Sequence, residues 1–114
     1  MIITSKDLKR WGACDSQRRR FRKLYPEGLK VTRANCMLAA KTWYKNERHT
    51  WADSLLFYGM GKSGETDFFV SEPTIRKAIK LNVRWGKNKI TKKQYEKLSG
   101  ELLWKAYQKK GWHK

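Results

Sequence analysis

The chain has 114 residues, enough for one domain with a modest core. It carries 27 basic and 10 acidic side chains, a net charge of +17, and 39% of its residues are hydrophobic, with six tryptophans among them. This composition excludes a disordered basic tail, and the lack of any apolar run of about 18 residues excludes a membrane-spanning helix.

A charge of about 2–8 suffices to keep a small domain dissolved, so the excess points to a polyanionic partner. The charge lies in two blocks. Residues 1–50 hold 13 basic and 4 acidic groups, residues 51–70 hold 1 and 3, and residues 71–114 hold 13 and 3. Basic faces around a nearly neutral packed centre are the expected arrangement.

In chain order, Ser5 caps a first helix over 6–13, with Ile3, Leu8 and Trp11 inward, and Gly12-Ala13-Cys14 breaks it. Asp15 caps a second helix, which Pro26 stops at Tyr25. At about 100° per residue, Phe21 and Leu24 dock this helix while Arg19, Arg20 and Lys23 face outward, within a run that also holds Arg18 and Arg22. Helix, short turn and basic helix have a helix-turn-helix outline, shared with any αα-hairpin.

Leu29-Lys30-Val31 is extended, and Thr32 caps a helix over 33–45 that is apolar nearly all round and so forms the core helix, with Cys36 and Met37 as packing residues. Thr50 caps a short helix over 51–60. Gly59–Gly64 is a loop, and Asp67–Ser71 is extended.

Ser71-Glu72-Pro73 starts a helix to about residue 82, with Ile75, Ala78 and Ile79 inside and Arg76, Lys77, Lys80 and Arg84 outside. Residues 82–91, including Lys87, read as a hairpin or a loop. Thr91 caps the last helix, 92–109, on a stripe of Tyr95, Leu98, Leu102 and Ala106. Trp104 falls opposite that stripe near Lys97 and Glu101, and the tail 109–114 frays.

The fold class is therefore mainly α: one basic domain over 1–114 of about five helices, with a short β-hairpin or extended segments. Residues 1–60 form its N-terminal part and 71–109 its basic C-terminal part. Two cysteines without an apolar leader read as reduced thiols in a cytoplasmic protein.

Trp11-Gly12-Ala13-Cys14, then Gln17 and Phe21, Tyr25-Pro26-x-Gly28, Val31-Thr32-x-x-Asn35, Ala39-Ala40 and Trp51 with Leu55-Leu56 form a pattern across residues 5–57. It resembles a small helical segment that recurs in proteins of bacteriophages and mobile elements, mostly of unassigned function. The resemblance implies a phage-encoded protein of the bacterial host cytoplasm or nucleoid and carries no catalytic residues over. Where that segment's second helix is often acidic, this chain has Arg18, Arg19, Arg20 and Arg22. The resemblance does not extend to residues 65–114.

The residues singled out for nucleic-acid binding are Arg18, Arg19, Arg20, Arg22, Lys23, Arg76, Lys77, Lys80, Arg84, Lys87, Lys97 and Trp104. Each cation that meets a phosphate releases counterions, and an exposed tryptophan stacks on an unpaired base. Trp85, Trp104, Tyr107 and Trp112 stand among lysines, whereas Trp11, Trp43 and Trp51 are expected inside. The charge pattern does not separate DNA from RNA, ribosomal RNA included.

Three chemistries are set aside. Gly61-Lys62-Ser63 lacks the P-loop's earlier glycine, since Leu56 stands there. Cys14, Cys36, His49 and His113 lack the close pairing of a zinc site. Glu47, His49 and Asp53 are a polar surface cluster and not a catalytic one. No cofactor is implied. The alternative to a nucleic-acid partner is a host protein with an acidic surface, docked through Arg and Trp.

Overall fold

Short polar side chains set where the helices begin. In the computed structural model, which describes residues 1–44, 49–60 and 73–114, Thr32 Oγ1 accepts from the Asn35 amide at 3.1 Å and opens α3, Arg33–Ala40. Thr91 and Gln94 form a reciprocal capping box at the start of α6, Lys92–Lys109, with bonds of 2.8 and 3.1 Å. The other helices are α1, Ser5–Arg10; α2, Asp15–Leu24; α4, Trp51–Met60; and α5, Pro73–Gly86. Two short strands, β1 (Ile2–Ile3) and β2 (Leu29–Lys30), pair antiparallel with Ile3 opposite Leu29. The fold is mainly α with a small two-stranded sheet.

Helix α6 packs on α3, α4 and α5. Gly100 allows the close approach to α3, because a Cβ there would stand 2.6 Å from Met37 Sδ and 3.2 Å from Ala40 Cβ. Ile3, Leu8, Phe21, Trp51, Leu55, Leu56, Ile75 and Leu103 fill the main core. Leu81, Ile90 and Tyr95 form a second cluster against Trp43 and Trp85. Buried polar groups bind across elements. The Asp53 carboxylate accepts from the Tyr95 hydroxyl at 2.5 Å and from the Thr50 amide at 3.1 Å, and the Tyr107 hydroxyl donates to the Leu55 carbonyl at 2.6 Å. The radius of gyration, 13.3 Å, is that of a compact chain of this length, about 13 Å.

Several expectations are corrected. Thr4, not Ser5, is the N-cap of α1, and Asp7 accepts from the Thr4 amide at 2.9 Å; α1 ends at Arg10. Cys14, not Asp15, is the N-cap of α2. The core helix stops at Ala40 and not at 45. Thr42 accepts from the Trp51 amide, Tyr44 donates its amide to His49, and Trp43 bridges Thr50, so this segment turns back in β fashion. Its Thr-Trp-Tyr composition suits that geometry.

Helix α5 runs through Trp85 to Gly86 in place of a hairpin or loop, and Asn88, at φ 57°, makes the turn that follows. Leu24, Ile79 and Leu98, assigned inward, are 45%, 42% and 39% exposed. The buried stripe of α6 is instead Tyr95, Ser99, Gly100, Leu103, Ala106 and Tyr107, rotated because small residues admit α3. The tail is held: Trp112 stacks on Trp11 with ring centroids 5.3 Å apart, and its carbonyl accepts from the Met1 amine at 3.1 Å. The loop reading of residues 61–64, the extended segment 67–71, the Ser71 cap and Glu47 lie outside the described residues. Among the described residues no helix is long and apolar enough to cross a membrane.

Candidate nucleic-acid interface

Helix α2 is anchored by one side. Phe21 is its buried residue, and Gln17 and Tyr25 are half-buried beside it. The Tyr44 hydroxyl donates to Gln17 Oε1 at 3.1 Å and lies 2.5 Å from Ser54 Oγ, tying α2 to the α3–α4 connection. Burial pushes the Tyr44 phenol above its usual pKa, so it stays a neutral donor. Asp15 in the first turn and Arg22 and Lys23 in the last suit the helix dipole.

The opposite side of α2 is cationic. Arg19, Arg20, Arg22 and Lys23 are exposed, and none is in an ion pair with a described residue. Arg18 differs: its side chain is 20% exposed and pairs with Asp15, so it is spent within the helix. The described ion pairs are Arg10–Asp7, Arg18–Asp15 and Arg33–Glu101. Two further carboxylates, Asp53 and Glu96, are occupied by neutral donors. Among the described residues the acids therefore quench few of the cations.

On α5, Arg76, Lys77, Lys80 and Arg84 are all exposed. Lys77, Lys80 and Arg84 line a groove of about 310 Å³ with Leu98, Glu101 and Lys105 of α6, while Arg76 does not. Lys87 lies in the exposed turn after α5 and Lys97 on the exposed side of α6, and neither lines this groove. Trp104 is half-buried against the core, with its ring edge-on to His113 at 5.8 Å. Tyr107 is core, Trp85 stacks on Tyr95, and Trp112 is already stacked on Trp11. The aromatics assigned to base stacking are thus engaged within the protein.

The residues that sequence reasoning missed are Trp43 and Tyr44. Expected within a buried helix, they line a groove of about 360 Å³ with Arg20, Lys23 and Leu24. The Trp43 indole N–H donates to Glu96 at 2.8 Å, its ring packs 5.5 Å from that of Tyr95, and Lys92 Nζ lies 5.2 Å above it. A second hollow, of about 510 Å³, adjoins: Arg20 and Tyr44 line both, and Gln17, His49 and Ser54 line the second. The missed signal was the β-type run Thr42-Trp43-Tyr44 after Lys41.

Among the described residues no cluster of three or more His, Cys, Asp or Glu is placed to hold a metal ion. The cysteines are free thiols of opposite character. Cys14 is exposed, and a hydrogen bond with Ser16 lowers its pKa; burial pushes the Cys36 thiol up to about 12. Because the thiolate is the nucleophile, a single alkylation at Cys14 is expected in the native protein at mildly alkaline pH, with Cys36 reacting only on unfolding. Peptide mapping after iodoacetamide treatment with and without urea checks this; rapid native labelling of Cys36 would contradict the packing.

No family model, no curated protein and no solved structure matches the chain.

Proposed function

We propose that this protein binds nucleic acid through the phosphate backbone and acts as a binding protein, not as an enzyme. The observation that carries the reading is the exposed face of α2, where Arg19, Arg20, Arg22 and Lys23 stand without an acidic partner among the described residues. Four cations on one turn and a half of helix repel each other, and a polyanion relieves that repulsion. The Lys77, Lys80, Arg84 and Lys105 groove supplies a second cationic surface. The likeness of residues 5–57 to phage and mobile-element segments supports a role in the bacterial cytoplasm or nucleoid.

Four phosphate contacts set the expected salt dependence. With a slope of about −0.7 to −0.9 per contact, a fourfold rise in salt weakens binding by about 50- to 150-fold. Fluorescence anisotropy with labelled oligonucleotides over a salt series, on protein freed of nucleic acid, measures this slope. A slope near zero, or affinity no greater than that of polylysine of equal charge, would overturn the proposal. Leu24, 45% exposed beside the cations, is the observation favouring an acidic host protein as partner instead. A complex with such a protein that excess polynucleotide fails to displace would support that reading.

A further inference from the structure

Beside the cationic face of α2, Arg20, Lys23 and Leu24 border a groove with Trp43 and Tyr44. Resting on the nucleic-acid reading, we infer that the site takes an unpaired strand, with a base against Trp43 and Tyr44 and the flanking phosphates on Arg20 and Lys23.

Three observations support this. The first is shape. A duplex keeps its bases stacked inside, so their faces are closed to a protein's aromatic rings. Here Arg20 and Lys23 border a hollow of about 360 Å³ that runs, through Arg20 and Tyr44, into another of about 510 Å³. Both volumes are in the range of small-ligand sites, about 300–1,000 Å³, and suit single bases rather than a double helix.

The second is spacing. Arg20 and Lys23 are three residues apart on one helix, about 5–6 Å between Cβ atoms, so both reach phosphates on either side of one nucleotide. The rings of Trp43 and Tyr44 lie against the same groove. Cations beside aromatic rings are what a strand with exposed π-faces recognises.

The third is preorganisation. Trp43 is held by its bond to Glu96 and by the Tyr95 and Trp85 rings, at 5.5 and 5.6 Å. Tyr44 is held by Gln17 and Ser54. Rings already fixed lose little rotamer entropy when a base arrives. Gln17 and Ser54, which line the adjoining hollow, bring hydrogen-bonding groups to a base edge.

The test compares three fluorescent probes of equal length on the intact protein: a single strand, its blunt duplex, and an abasic strand with the same phosphates. Stacking of one base predicts about 5- to 150-fold tighter binding of the single strand than of the abasic strand. Trp43→Leu should remove that difference and Trp43→Phe keep it, with the urea midpoint of each variant showing that it is folded. Should Trp43→Leu fail to fold, the abasic comparison on the unaltered protein decides alone. Equal affinity for strand and abasic strand, or preference for the duplex, overturns this inference while leaving phosphate binding intact. Failure of all three probes to bind better than to polylysine overturns both.

Discussion

The variant Arg19→Glu/Arg20→Glu/Lys23→Glu should lose about 50- to 150-fold in oligonucleotide affinity near physiological salt, and its salt slope should shrink by about 2–3. Each contact contributes about 0.7–0.9 to the slope, and three are removed. The net charge falls by two per substitution, from +17 to +11, and the chain remains strongly basic. A loss that merely followed net charge would be matched by three reversals placed elsewhere, such as at Lys6, Lys9 and Lys109, which are exposed on α1 and α6. The α2 reversal should exceed that control severalfold. Equal losses in the two triples would mean that α2 is not a specific surface.

The α2 reversal should leave the fold in place. Phe21 anchors the helix, and Arg19, Arg20 and Lys23 make no described hydrogen bond. The one structural cost is Lys23 at the helix C-terminus, where an acid opposes the dipole by about 0.3–1 kcal/mol. Far-ultraviolet circular dichroism and a urea titration separate that cost from the loss of binding.

Gly28→Ala should produce a large loss of stability for the addition of a single methyl group. Gly28 adopts φ +85°, which costs an L-residue about 1–2 kcal/mol. An added Cβ would also stand 2.5 Å from Ile2 Cγ2 and 2.8 Å from the Ile3 carbonyl oxygen. That oxygen belongs to β1, so relief requires moving the strand whose Ile3 is fully buried in the core. Overpacking of this kind adds about 1–3 kcal/mol. The sum, about 2–5 kcal/mol, is a large part of the 5–15 kcal/mol typical of a domain. Gly86→Ala is the control: a Cβ there meets nothing within 4 Å, and the helix propensity of Ala makes a small gain the expected result. Urea midpoints rank the two, and a Gly28→Ala midpoint equal to that of the unaltered protein would show that β1 yields without cost.

The contrast between the two variants follows how far each effect reaches along the chain. The cationic outer face of α2 was readable from Arg18–Lys23, because a run of cations interrupted by one phenylalanine must turn the cations outward if that phenylalanine is buried. Arg18 escaped this reading, since its pairing with Asp15 uses the very spacing that places it on the helix. Gly28 was legible as part of a turn after Pro26, yet its cost depends on Ile2 and Ile3, more than twenty residues away.

The candidate site divides in the same way. Its cations are a property of composition and helical period. Its rings are a property of where one helix ends. Trp43 and Tyr44 reach the groove because α3 stops at Ala40 and the chain folds back along Thr50–Trp51. Trp104 and Trp112, which stand among lysines in the sequence, are drawn onto the core and onto Trp11.

What the amino-acid sequence determined by itself was local: the mainly helical class, the starts at Thr32 and Thr91, the stop at Tyr25-Pro26, and the cationic outer side of α2 and α5. These depend on capping atoms, proline sterics and a 3.6-residue period, all of which act within a few residues. Tertiary structure alone decided which apolar residues stay exposed, which side of α6 is buried, and which aromatic rings meet the cations. Those outcomes rest on contacts between residues far apart in the chain, such as Gly100 against Met37 and Asp53 against Tyr95. Hydrophobic burial is non-directional, so the side of a helix that it covers depends on what arrives there and not on the helix alone.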